Sequence, residues 1–114
     1  MDINTALEAL TGLSQATRLL TFRLLVQAGP DGLSAGNIAK RLQSRQNTMS
    51  SHLKQLNQAG LINARREGRN MIYSANYDTV RGLILYLMED CCAGNKAVCQ
   101  PVAESLAKSC NQQS

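Results

Sequence analysis

Four cysteines crowd the end of this 114-residue chain, at Cys91, Cys92, Cys99 and Cys110, and nothing else in it is so placed to meet a chemical signal. Cys91 and Cys92 are adjacent and close an apolar, helix-like stretch. Neighbouring cysteines make a poor disulfide, because the bond closes a strained ring, but two such thiolates can both face one soft ion. Cys99 offers a third sulfur; Cys110 is a spare thiol, a contact to a second subunit or a fourth ligand. Clustered cysteines behind an N-terminus with no leader-like pattern point toward metal binding or redox sensing rather than a disulfide framework. The plain alternative is that Cys91 packs as a small hydrophobe on the last helix.

The rest of the chain must position those sulfurs. Its length suits one domain with a modest core, spanning 1–114 and completed by an oligomer interface. The first ten residues carry Asp2 and Glu8 and no basic cluster, and the longest apolar run, Leu83 to Met88, falls far short of the ~20 residues of a membrane span. A soluble, cytoplasmic protein with no membrane partner is expected. The net charge of +4 is unevenly spread: Lys40, Arg41, Arg45, Lys54, Arg65, Arg66 and Arg69 face only Glu67 between positions 40 and 70, leaving the remainder slightly acidic. Such polarity is either a solvated face or the footprint of a surface that meets a polyanion, with phosphate backbone the leading candidate.

The hydrophobic pattern predicts a mainly α chain with a small β-hairpin. Leu7, Leu10 and Leu13 mark one apolar stripe, and Ala16, Leu19, Leu20 and Phe22 through Val26 a second, strongly buried helix ending at Gly29-Pro30. Ser34 can cap a helix through Ile38, Ala39 and Leu42. Ser44 or a neighbour can cap the next, whose inward residues are Met49, Leu53 and Leu56 and whose stop is Gly60. This pair, about 34–59, has helix-turn-helix proportions. Residues 61–74 form two strands around Glu67-Gly68-Arg69, a hairpin that aims Arg65, Arg66 and Arg69 outward. A helix-turn-helix followed by an arginine-tipped hairpin is a winged helix-turn-helix. Asp78 or Thr79 can cap a last helix over about 78–92, more apolar than one core-facing stripe requires, which predicts a homodimer; residues 91–110 form the cysteine-bearing tail.

With Met49, Leu53 and Leu56 inward, Gln46, Asn47, Thr48, Ser50, Ser51 and Lys54 face solvent near the start of the second helix of the pair, where such a motif contacts base edges and phosphates of double-stranded DNA. Each could instead simply cap or solvate the helix. His52, the only histidine, packs or touches phosphate; a second histidine to share a metal is lacking. A lone histidine, no paired acids and no nucleotide-binding glycine motif argue against an enzyme.

The run Gln46-Asn47-Thr48-Met49-Ser50-Ser51-His52-Leu53-Lys54-Gln55-Leu56, with Ala59-Gly60-Leu61-Ile62 and Arg66-Glu67-Gly68-Arg69, resembles the ArsR/SmtB family of bacterial metal-responsive repressors over roughly Leu10 to Cys92. The resemblance implies a homodimer that binds an operator of two half-sites until an inducer releases it. The family's cysteine pattern at the start of the helix before the recognition helix is replaced here by Ser34-Ala35-Gly36-Asn37, and its zinc pattern on the last helix lacks histidine. What remains is Cys91, Cys92 and Cys99, similar to the arsenite-responsive members with a vicinal pair at the end of the last helix. The implied inducer is trivalent arsenic (arsenite), which takes three thiolates in a pyramid. Antimonite, methylarsenite, mercury, or oxidant and persulfide chemistry at the same thiols are the alternatives.

Overall fold

Asp2 starts the first helix: its Oδ1 accepts the backbone N–H of Thr5 at 2.8 Å, and the same contact holds its carboxyl below the usual aspartate range. In the computed structural model, which describes residues 1–89 and 96–112 and the side chains of 1–89 and 100–109, helix α1 then runs Ile3–Leu13. It turns its small residues inward. Ala6, Ala9 and Gly12 are buried, whereas Leu7 and Leu10 of the expected stripe stay 53% and 40% exposed. A methyl group added at Gly12 would lie 2.8 Å from Leu61 Cδ1, so this face sits against the chain too closely for any larger residue. The leucine stripe is real, but it is not the face that packs within the chain.

Helix α2 (Ala16–Ala28) is capped by Gln15, whose Oε1 accepts the Arg18 N–H at 2.8 Å; Arg18 Nε in turn donates to the Gly12 carbonyl at 2.8 Å and so closes the end of α1. Thr21, Phe22 and Leu25 are buried, while Leu19, Leu20 and Val26 remain exposed. The expected strongly buried helix therefore packs on one side only. Thr21, wholly enclosed, satisfies its hydroxyl by donating to the Thr17 carbonyl at 2.7 Å.

The helix-turn-helix follows. Strand β1 (Leu33–Ser34) leads into α3 (Ala35–Arg41), and Ser34 caps it as expected, its Oγ accepting the Asn37 N–H at 3.2 Å. Helix α4 (Gln46–Gln58) has Arg45 as its cap residue, without a side-chain bond; the Ser44 hydroxyl donates instead to the Arg45 carbonyl. Its C-terminal end closes as the sequence suggests: Gly60 takes φ +77°, its N–H reaches the Asn57 carbonyl, and the Leu61 N–H reaches that of Leu56, both at 3.0 Å.

Strands β2 (Ile62–Glu67) and β3 (Asn70–Ala75) form the hairpin, with Glu67 opposite Asn70 and Gly68 at φ +62° in the two-residue loop. The sheet has a third member. Strand β1 pairs with β3, Leu33 opposite Tyr73 and Ser34 opposite Ile72, giving the antiparallel order β1-β3-β2. Only the base of the hairpin is anchored in the core, by Ile62 and Ala75; residues 63–71 are all exposed.

Helix α5 (Tyr77–Met88) begins one residue before the expected caps. Asp78 pairs with Arg81, and the Thr79 hydroxyl donates to the Gly60 carbonyl at 2.7 Å, as does the Asn76 amide at 3.0 Å, tying the start of α5 to the end of α4. Helix α6 spans Lys96–Gln112, with Pro101 inside it. The chain divides into two units, Met1–Leu83 and Ile84–Ser114. Among the described residues no helix is long and apolar enough to cross a membrane.

Candidate nucleic-acid interface

Helix α4 separates anchoring from display on its two faces. Met49, Leu53 and Leu56 are 0%, 1% and 0% exposed, each worth roughly 1.5–3 kcal/mol of burial. The opposite arc carries Asn47, Ser50, Ser51 and Lys54, at i, i+3, i+4 and i+7, with Gln46 and Thr48 beside it, and all six are exposed. Two are partly engaged: Asn47 Oδ1 accepts the Thr48 N–H at 2.9 Å, and the Ser50 hydroxyl donates to the Gln46 carbonyl at 2.9 Å. The Asn47 amide N–H groups and the Ser50 lone pairs stay free for a partner. His52 is half-buried, and its Nδ1 is enclosed with no hydrogen-bond partner among the described residues.

Three exposed cations flank this display without having been singled out as DNA contacts from the sequence. Lys40 and Arg41 end α3, and Arg45 precedes α4. Their signal lay in the charge count, which marked the region without ranking its members.

The wing divides its arginines. Arg66, opposite Met71, and Arg69, in the loop, are exposed and have no partner among the described residues. Arg65 does not simply point outward as expected: Nη1 donates to the Pro30 carbonyl at 3.2 Å and Nη2 to that of Asp31 at 2.6 Å, with Glu67 at 3.6 Å.

Of the proposed sulfur ligands, Cys91 and Cys92 lie outside the described residues. Cys99 and Cys110 fall within α6, with their side chains outside the described set. On α5, Ile84, Leu85 and Leu87 are 40%, 63% and 57% exposed, the apolar excess that the sequence indicated.

A capped helix pair, a buried triad beneath a polar display and a basic hairpin define a winged helix-turn-helix. Comparison with known proteins agrees. The model of a family described as "Helix-turn-helix domain" matches residues 7–65. The transcriptional activator HlyU of Vibrio cholerae is 33% identical over 64 residues, 56% of this chain and 59% of that protein. The chain thus matches less than two thirds of that curated relative's length. The solved structure of HlyU superposes with a TM-score of 0.63 at 29% identity, covering 77% of this chain and 95% of that one. A structure described as a possible transcriptional regulator for arsenical resistance gives 0.62 at 25% identity, over 70% and 80% of the two chains. A homodimeric winged helix-turn-helix DNA-binding domain from Mycobacterium bovis, described as possibly of the ArsR family, gives 0.64 at 24%, over 84% and 83%, and supports the fold. The chain belongs to the helix-turn-helix domain family and has the winged-helix fold.

Proposed function

We propose that the protein is a cytoplasmic repressor that works as a homodimer, holds a double-stranded DNA operator through its two α4 helices and wings, and releases it when arsenite binds Cys91, Cys92 and Cys99. The observation that carries the DNA half is α4 itself, where Met49, Leu53 and Leu56 fix a helix whose other face offers only donors, acceptors and a cation. Gln46, Asn47, Thr48, Ser50, Ser51 and Lys54 are assigned to the groove, His52 to its edge, and the wing to flanking phosphate.

The donor set supports the inducer. Trivalent arsenic is soft and binds three thiolates, and the chain supplies an adjacent pair with a third sulfur seven residues on from Cys92. The neighbour described for arsenical resistance points the same way. HlyU is named an activator, but repression suits a sensor of a toxic thiophile, since release then opens the controlled genes. To weaken operator binding ~100-fold, arsenite must favour a second dimer arrangement by about 2.7 kcal/mol, within the range of ordinary allosteric coupling. Linkage requires the operator to weaken arsenite binding by the same factor.

The test is fluorescence anisotropy with a labelled duplex selected from a random pool, with and without arsenite. Cys91→Ser, Cys92→Ser and Cys99→Ser are expected to stay on DNA when arsenite is added, and Cys110→Ser to let go as the unaltered protein does. Release by all four variants would overturn the three-cysteine site, and release caused only by a disulfide formed with mild oxidant, with arsenite inert, would replace arsenite with a redox signal.

A further inference from the structure

We propose that Arg65 is a positioning residue, a latch that holds the wing to the turn leading into β1, and that the wing grips phosphate through Arg66 and Arg69. The proposal rests on the DNA-binding reading for its consequence, though not for the latch itself. Because the sheet order is β1-β3-β2, Arg65 on one edge strand must reach past the central strand to touch the carbonyls of Pro30 and Asp31, which precede the other edge. The register shows the crossing: Arg65 pairs with Ile72, and Ile72 with Ser34. One side chain therefore ties β2 to the turn that leads into β1, across the central strand.

The hairpin needs such a tie. A two-stranded hairpin is marginal in water, β1 adds only two residues to it, and everything from 63 to 71 is exposed and gains nothing from burial. The turn is already pressed against the central strand. Gly32 stands at φ +73°, and a methyl group there would come within 2.3 Å of the Tyr73 carbonyl oxygen. Arg65 closes the same junction from the far edge. The planar fork of a guanidinium suits two neighbouring carbonyl acceptors, which the single ammonium of lysine does not reproduce. Glu67, at 3.6 Å from Arg65 and like it well exposed, adds little. Strand alternation puts Arg66 on the opposite face from Arg65, and Arg69 is in the loop; neither has a partner among the described residues to give up before meeting a phosphate.

The experiment compares Arg65→Lys, Arg65→Ala, Arg66→Ala and Arg69→Ala in two readouts. The first is the slope of log affinity against log salt on one duplex, which falls by about 1 for each phosphate no longer neutralised. The second needs no DNA: amide hydrogen exchange across the β1–β3 pairing, with circular dichroism to check that the helices stay folded. The latch predicts that both Arg65 variants lower affinity about tenfold with the slope held, and speed exchange in the hairpin. Arg66→Ala and Arg69→Ala should lower the slope and leave exchange alone. If Arg65→Lys matches the unaltered protein while Arg65→Ala drops the slope by a unit, Arg65 binds phosphate directly and the latch is wrong; unchanged exchange in both Arg65 variants also overturns it. If the unaltered protein binds no duplex, the DNA reading fails, and exchange still decides the latch.

Discussion

On α4, side chains a few positions apart do opposite work, and substitution should separate them. Met49→Ala removes a fully buried side chain and is expected to cost about 2–5 kcal/mol in urea unfolding. Lys54→Ala should change stability by no more than about 0.5 kcal/mol while lowering the salt slope of DNA binding by about 1. Both placements were legible in the sequence, because a 3.6-residue period put Met49, Leu53 and Leu56 on one side and left Lys54 exposed on the other. The role of Arg65 was not legible. Its acceptors lie 34 and 35 residues away in the chain, a distance across which local pattern carries no information. The inward face of α1 was hidden for another reason: Ala6, Ala9 and Gly12 have little hydropathy, so Leu7 and Leu10 dominated the pattern although they remain exposed.

Among the elements, the wing depends on two glycines that differ in what surrounds them. Gly68 and Gly32 both have positive φ, but a side chain at 68 meets open space, whereas one at 32 runs into the Tyr73 carbonyl. Gly68→Ala should cost about 1–2 kcal/mol of backbone strain. Gly32→Ala should cost about 3 kcal/mol or more, by strain and steric conflict together, and should detach β1 from β3. Urea midpoints, with exchange at the β1–β3 pairing, would check the order; equal costs would show that the junction yields. Gly68 announced its turn, sitting between two strand-like runs. Strand β1 did not, because two residues squeezed between a turn and a helix cap show no alternation, and their pairing is visible only once Tyr73 and Ile72 stand opposite.

For the molecule as a whole, the apolar residues left uncovered fit the proposed homodimer. Leu7 and Leu10 on α1, and separately Ile84, Leu85 and Leu87 on α5, exceed what isolated exposure requires. Leu85→Glu should leave a single folded chain nearly unharmed, since Leu85 is 63% exposed there, yet place a charge in the interface of a pair. Analytical ultracentrifugation is expected to show a monomer for this variant, with operator affinity falling in parallel; a dimer of undiminished strength would put the subunit interface elsewhere. The division of the hairpin into a buried base at Ile62 and Ala75 and an exposed outer part over 63–71 also has a geometric outcome. Lengthening each strand by two residues would carry the loop outward by roughly 7 Å and return every side chain to its former side, whereas lengthening by one would turn the arginines over. Wing span is thereby an adjustable caliper, resettable in increments of four inserted residues without disturbing the interior.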